Sequence, residues 1–508
     1  MKRTIENILR ARVYDVARET PLDLAKGLSE RTGNRVLLKR EDLQPVFSFK
    51  LRGAYNKMSQ LTEKQRDAGV IAASAGNHAQ GVALAARRLG IKARIVMPRT
   101  TPDIKVHAVR SLGGKAILHG DNYDEAYLHA RVLVKEKGYT FVPPYDDPLV
   151  IAGQGTVAME ILRQAPQEVE AIFVPVGGGG LIAGIAAYVK FVRPDVRVVG
   201  VESEESACLY EALAAGRRVV LDSVGIFADG VAVKQVGKEP FRLLRKTVDE
   251  VIKVSTDEIC AAIKDIFEDT RGITEPAGAL AVAGLKKYVA REQRRDAVLV
   301  AINSGANMNF DRLRHVAERA QIGEQREALF AVTIPERPGS FLNFCRMLGK
   351  RAITEFNYRY ADPQQAHVFA GIELGGGAQE RQELLRTLVE GGFPVVDMSD
   401  NEMAKLHVRY MVGGHARGIH DEMLFRVEFP ERPGALLKFL SELGRRWNIS
   451  LFHYRNHGSD YGRVLVGVQV PTSQRPELRA ALDKLGYPCE EESGNPAYQM
   501  FVSAGSAQ

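Results

Sequence analysis

Short β-branched runs alternate with Ala-rich amphipathic stretches along the chain as far as Asp311. Val70–Ala73 reads VIAA, the helical pattern AQGVALAARRLG follows, and ARIVM at Ala93–Met97 returns to a strand. Ala116–Leu118 precedes a helical Tyr123–Lys137, and AIFVPV at Ala171–Val176 precedes a helical Leu181–Val192. VRVVGV at Val196–Val201 follows, and Val298–Ile302 is the last apolar run of this kind. Apolar positions two apart mark a strand, and those three and four apart mark one face of a helix. Strands alternating with helices make βαβ units, so the expected class is α/β, with a largely parallel sheet and helices on both faces. Ligands of such sheets sit at the carboxyl ends of strands, where a loop enters the next helix.

The pattern changes after Asp311–Ala328, a polar, charge-rich stretch of helical character that reads as a connector rather than a core element. FAVTIPERPG at Phe330–Gly339 returns as FRVEFPERPG at Phe425–Gly434. The amphipathic SFLNFCRMLGK and ALLKFLSELGR follow in turn, then ITEFNYR from Ile353 and ISLFHYR from Ile449. With further strands at His367–Glu373 and Gly462–Val470, this is a tandem of two ferredoxin-like βαββαβ units. The expected layout is an α/β domain at 1–320, a connector at 321–327, one unit at 328–398, a second connector at 399–421 and the other unit at 422–500.

Composition narrows the classes. A chain of 508 residues exceeds one hydrophobic core, and 45% apolar with 26% charged residues is ordinary for a soluble protein. The net charge of +7 comes from 69 basic residues interleaved with 62 acidic ones. No basic run carries aromatics between its charges, so nucleic-acid binding is not expected. Runs long enough to span a membrane are missing, and the N-terminal MKRTIENILRARVYDVARET lacks the apolar core of a secretory signal. Cys208, Cys260, Cys345 and Cys489 are scattered, as reduced thiols of a cytoplasmic protein would be, and no metal site is expected.

Four loops carry candidate chemistry. SFKLRGA at Ser48–Ala54 sets Lys50 between Phe49 and Leu51. Apolar neighbours suggest a buried ammonium, whose lowered pKa frees the neutral amine for Schiff-base formation; the alternative is an exposed lysine on an amphipathic helix. SAGNHAQG at Ser74–Gly81 stands between strand and helix, where free N–H groups suit an anion such as a carboxylate. It also reads as a plain turn, with His78 packed rather than catalytic. GGGGL at Gly177–Leu181 follows a strand, and successive glycines let backbone N–H groups converge on a phosphate. Gly178, Gly180 and Ala183 also match G-x-G-x-x-A, with Glu202 at the distance of a ribose-binding acid, so a dehydrogenase is a rival reading. NSGANMN at Asn303–Asn309 puts the Ser304 hydroxyl at a strand end, and Glu275 in TEPAGALA reads as an acid at a helix start.

In their order and spacing these four loops resemble the fold-type II pyridoxal-phosphate enzymes, and most closely the biosynthetic threonine deaminases. The paired C-terminal units resemble the ACT-like regulatory domains of that family, with Gly392–Gly414 similar to the joint between them. The resemblance covers essentially the whole chain, and it implies that the first domain has two lobes of mainly parallel sheet. It implies that Lys50 carries pyridoxal 5′-phosphate, that Phe49 packs beside it and that Asn77 hydrogen-bonds its 3′-oxygen. It gives the phosphate to Gly177, Gly178, Gly179, Gly180 and Leu181, and the pyridine nitrogen to Ser304. The substrate carboxylate falls to Ser74, Ala75, Gly76, Asn77 and His78. The implied reaction converts L-threonine to 2-oxobutanoate and ammonia, the first step of isoleucine biosynthesis, with minor activity on L-serine. Relatives that racemise serine carry a serine at the position of Ala75, whose methyl group cannot move a proton. The resemblance further implies inhibition by L-isoleucine, opposition by L-valine and a homotetramer, and the repeat marks Tyr358 and Tyr454 as effector-site candidates. A catabolic dehydratase, or an amino-acid sensor with an inactive catalytic half, would share some of these features.

Overall fold

In the computed structural model the chain forms two units, Met1–Gly323 and Glu324–Gln508. The structure describes all residues except 166–167, 226, 311, 350, 412, 417, 431–434, 444–445, 456–460, 497, 499–501 and 503–508. The second ERPG loop therefore lies outside the described residues.

The strands of the first unit are β1 (Leu22–Leu24), β2 (Arg35–Arg40), β3 (Val70–Ala73), β4 (Ala93–Met97), β5 (Lys115–Leu118), β6 (Thr140–Phe141), β7 (Val169–Pro175), β8 (Arg197–Ser203), β9 (Glu250–Val254) and β10 (Val298–Asn303). Among the described residues they make a six-stranded sheet, β1-β2-β10-β7-β8-β9, and a four-stranded sheet, β5-β4-β3-β6. All pairs are parallel except β1 with β2. The near-continuous apolar runs of β3, β7 and β10 are buried, as strands with helices on both faces must be. The α/β class read from the alternation is the one observed.

Helix packing sets the position of Lys50. The helix Lys50–Ser59 lies against Pro148–Gln164, which starts with Asp147 accepting the Leu149 N–H at 2.8 Å and Pro148 in its first turn. The approach is so close that a Cβ on Gly153 would stand 2.6 Å from Arg52 O and 2.7 Å from Gly53 Cα. A fully buried ion cluster ties the two helices to β2. Arg52 donates to Glu41 at 2.7 Å and to Glu160 at 2.6 Å, and Lys39 of β2 donates to Glu160 at 2.7 Å. Two cations and two carboxylates satisfy one another, as charges taken out of water must.

The stretch read as a helical connector is helical, but it belongs to the core rather than linking past it. Arg312–Gly323 is a helix that buries Val316 and Ala320 in the core of the first unit, and Arg319 pairs with Asp257. Its charges misled the reading because only one face is apolar.

The second unit contains β11 (Glu327–Pro335), β12 (Ile353–Arg359), β13 (Gln365–Glu373), β14 (Val395–Asp397), β15 (Glu422–Pro430), β16 (Asn448–Arg455), β17 (Tyr461–Gln469) and β18 (Cys489–Glu491). The order β14-β11-β13-β12-β16-β17-β15-β18 gives each repeat the ferredoxin-like arrangement, and β12 pairs antiparallel with β16 to make one sheet of both. Four helices, Ser340–Leu348, Gly377–Glu390, Ala435–Leu443 and Arg475–Leu485, complete the two expected βαββαβ units. All four cysteines are free thiols, and no helix among the described residues is long and apolar enough to cross a membrane.

Candidate active site

Backbone hydrogen bonds stitch two of the predicted loops together. Phe49 N donates to Ser304 O at 3.3 Å, Ala306 N donates to Phe47 O at 2.8 Å, and Ser48 bridges Gly305. The segment before the helix Pro276–Glu292 joins them, because Glu275 N and Thr274 Oγ1 both donate to Gly305 O, at 3.1 and 2.8 Å. The asparagine loop completes the cluster. Asn77 Nδ2 donates to Glu275 Oε1 at 2.6 Å, and Asn77 Oδ1 accepts from Asn307 Nδ2 at 2.6 Å. Gly305 makes room for this, since a Cβ there would stand 2.5 Å from Glu275 Oε1.

Burial sets the charges. It lowers the Lys50 ammonium to about 8, against the opposing pull of Glu275. Burial, with Asp229 nearby, raises Glu275 to about 7, although the Asn77 hydrogen bond and the charges of Lys105 and Lys50 act the other way. His78 is pushed down to about 3 by burial, so it is neutral, and its Nε2 donates to Val142 O at 2.9 Å. Lys50 Nζ lies 5.3 Å from the centre of the Phe49 ring. Ser304 is buried and its Oγ donates to Ala277 O at 3.4 Å.

The glycine loop leaves β7 and enters the helix Gly180–Val192, whose first N–H groups have no acceptor within the helix. Its backbone runs under Tyr145, where a Cβ on Gly178 would fall 2.2 Å from the ring. The turn at 229–231 links this loop to the lysine cluster, with Val231 against Gly177 and Gly230 against Glu275. Leu181 is buried behind the loop. Glu202, the acid a dehydrogenase would offer to a ribose, is otherwise engaged. It is fully buried and accepts the N–H groups of Leu209 and Tyr210, both at 2.8 Å.

These residues fit pyridoxal phosphate. A lysine with a lowered pKa supplies the amine, the glycine loop supplies a side-chain-free N–H cradle, and Ser304 and Asn77 supply neutral polar groups. The buried Ser48 Oγ, two residues before Lys50, has no partner among the described residues and adds hydrogen-bonding capacity. The sequence reading undervalued Glu275 and did not find Tyr145, Asp229 or Lys105, which are single residues in unrelated segments. Lys105 and Asp229 form an ion pair at 2.7 Å.

In the second unit a small cavity is lined by Phe341, Leu342, Leu440, Leu443, Ile449 and Val468, with Arg337 and Asn448 among its polar walls. Tyr358 stacks edge-on against Phe341 and donates to Glu336, which also accepts from Asn448 Nδ2 at 2.7 Å. Tyr454 is buried in the core opposite Phe356.

Residues 13–305 match the family model for pyridoxal-phosphate dependent enzymes. Residues 318–408 and 413–502 each match the C-terminal regulatory domain of threonine dehydratase. The chain is 58% identical over 502 residues to the biosynthetic L-threonine dehydratase IlvA of Burkholderia multivorans, covering 98% of this chain and 99% of that one. The processed form of threonine deaminase isoform 2 from Solanum lycopersicum superposes with a TM-score of 0.62 at 50% identity, over 63% of this chain and 93% of that one. Maize serine racemase follows at a TM-score of 0.58 and 32% identity, over 62% and 96%. Near-complete coverage at this identity, with both regulatory repeats matched, places the chain in the family of biosynthetic threonine dehydratases, which are pyridoxal-phosphate-dependent lyases.

Proposed function

We propose that the enzyme removes water from L-threonine and releases 2-oxobutanoate and ammonia, as the first step of isoleucine biosynthesis, with L-serine as a minor substrate. The observation that carries this is the meeting of Lys50, Asn77, Glu275 and Ser304 at one partly buried centre beside the glycine loop. Residues 1–320 form the catalytic domain in this reading, and 328–398 and 422–500 the two ACT-like domains.

Lys50 would hold the cofactor, with Phe49 beside it, Asn77 at the ring 3′-oxygen, Ser304 at the ring nitrogen and Gly177–Leu181 at the phosphate. When bound, pyridoxal phosphate supplies the electron-withdrawing system that acidifies the substrate's α-hydrogen. N–H groups of the Ser74–His78 segment, at the start of the helix Asn77–Leu89, favour the substrate carboxylate. Val142 occupies the His78 imidazole, so His78 contributes its backbone there. Lys50 Nζ takes the α-proton, and an amine with a pKa of about 8 is well matched to that task near neutrality. The buried Ser304 hydroxyl is neutral, so it would meet the ring nitrogen as a hydrogen-bonding partner without the charge a carboxylate would bring. Ala75 offers no proton on the other face, so racemisation is not expected.

The regulatory unit responds to L-isoleucine as an inhibitor and L-valine as its antagonist. The match of both repeats to the C-terminal regulatory domain of threonine dehydratase supports this, with Tyr358 the candidate effector residue of the first repeat. Tyr454 is the matching candidate in the second repeat. Assembly as a homotetramer in the cytoplasm rests on the family resemblance. The test is turnover of L-threonine by the purified enzyme, with 2-oxobutanoate as the measured product, with and without each branched-chain amino acid. The expected result is product formation suppressed by isoleucine, and an enzyme that binds cofactor but forms no 2-oxobutanoate overturns the reading.

A further inference from the structure

Glu275 has no part in the roles assigned above, yet it lies at the centre of the site. It is 4% exposed, and a buried carboxyl is costly unless something requires it. The charged groups around it come from separate elements. Lys50 stands on its own helix, Lys105 on the helix Asp103–Ser111, and Asp229 on the 229–231 turn, where Arg312 also reaches Asp229 at 3.3 Å. The nearby His78 is neutral.

What Glu275 does directly is hold Asn77. The Asn77 amide is gripped at both ends, by Glu275 Oε1 at Nδ2 and by Asn307 Nδ2 at Oδ1, and Asn307 is anchored in turn on Val46 O at 2.9 Å. An acceptor facing one end and a donor facing the other permit one orientation of the amide, with nitrogen toward Glu275. One N–H of Asn77 is used on Glu275, and the other is left over. Two glycines make way for the carboxyl: a Cβ on Gly305 would meet Glu275 Oε1 at 2.5 Å, and one on Gly230 would come within 3.5 Å of it.

We infer that Glu275 is a positioning residue, which locks the Asn77 amide in the one orientation that keeps its second N–H for the ring oxygen of the cofactor. The inference rests on the assignment of Asn77 to that oxygen. It differs from a role in helix capping, because the Glu275 side chain makes no cap hydrogen bond to the helix it precedes.

The test compares wild type, Glu275→Ala and Glu275→Gln, each loaded with pyridoxal phosphate. The readouts are the visible absorption band without substrate, cofactor retention on gel filtration, and kcat and KM for L-threonine. The Ala variant is expected to retain fold and cofactor but to shift the band and lower kcat by about a hundredfold, the scale of a misplaced contact, with KM moved less than about threefold. Gln keeps an oxygen that can accept the same N–H, so Glu275→Gln is expected to recover the wild-type band and kcat to within about threefold. A wild-type band and kcat in the Ala variant, or a Gln variant as impaired as Ala, overturns the inference. Should Glu275→Ala fail to fold, Asn307→Ala releases the other end of the same amide and must shift the band; an unchanged band there is equally fatal. A wild-type enzyme with no cofactor band at all would instead overturn the cofactor assignment.

Discussion

Gly81 packs directly on the backbone at Lys50: a Cβ on Gly81 would stand 3.0 Å from Leu51 N and 3.2 Å from Lys50 C. The helix that presents Asn77 to the site thus rests on the first peptide of the helix that presents Lys50. Backbone cannot rotate away as a side chain can, so Gly81→Ala must push the two helices apart. The expected cost is about 1–3 kcal/mol of stability, with weaker cofactor retention. Denaturant melts and cofactor titration check this, and a variant equal to wild type in both would show that the contact yields without strain.

Lys50 is expected to be indispensable and to titrate low. Lys50→Ala loses anchor and base together and should cost about four orders of magnitude in kcat, and Lys50→Arg should fail too because a guanidinium stays charged. In the apoenzyme, capture of pyridoxal phosphate needs the neutral amine. The capture rate should therefore climb about tenfold per pH unit at acidic pH and level off above about 8, the value burial imposes on Lys50. An ordinary lysine would keep climbing for more than two further pH units. Stopped-flow absorbance across the pH range separates the two, and a plateau near the ordinary lysine value would mean that burial is ineffective.

Ser304→Asp would put a carboxylate where the neutral hydroxyl is assigned to the ring nitrogen. The cofactor spectrum and the balance of products should change more than cofactor affinity does. Identical spectra and products would show that Ser304 does not face that nitrogen.

Removal of residues 324–508 should leave an enzyme that isoleucine no longer inhibits. Full-length enzyme should respond with a coupling of about 1–3 kcal/mol, seen as a five- to 150-fold shift in effector-dependent affinity. Threonine saturation curves of both forms, with and without isoleucine, make the comparison. Isoleucine sensitivity in the shortened form would place the effector site in the first unit.

The loops of the site were legible because each needs particular residues within a few positions: a lysine between apolar neighbours, an asparagine at a helix start, a run of glycines after a strand. The contact between Asn77 and Glu275 was not, because the partners are far apart in the chain and Glu275 before Pro276 looks like a helix-start acid. Arg52 was hidden for a related reason. An arginine two positions after Lys50 reads as solvent-facing, and only the folded chain brings Glu41 and Glu160 to it. The repeat announced two ferredoxin-like units, but it carried no sign that β12 and β16 would join them in one sheet. Pairing between copies depends on which edges are left open, and residue periodicity does not encode that.

That pairing has its own symmetry. β12 and β16 set Phe356 opposite Tyr454, Asn357 opposite His453 and Tyr358 opposite Phe452, which are matching positions of the two copies exchanged across an approximate dyad. The second unit is thus a dimer written into one chain, with each copy serving as the other's edge cover. The strands at its two outer edges, β14 and β18, are only three residues long, too short to invite further pairing. A chain cut between the copies would turn the seven-residue β12 from an interior strand into an open margin. A lone first copy, residues 324–411, should therefore pair with another of its kind or aggregate on size-exclusion chromatography, and a well-behaved monomer would mean that the seam is not needed to cover that edge.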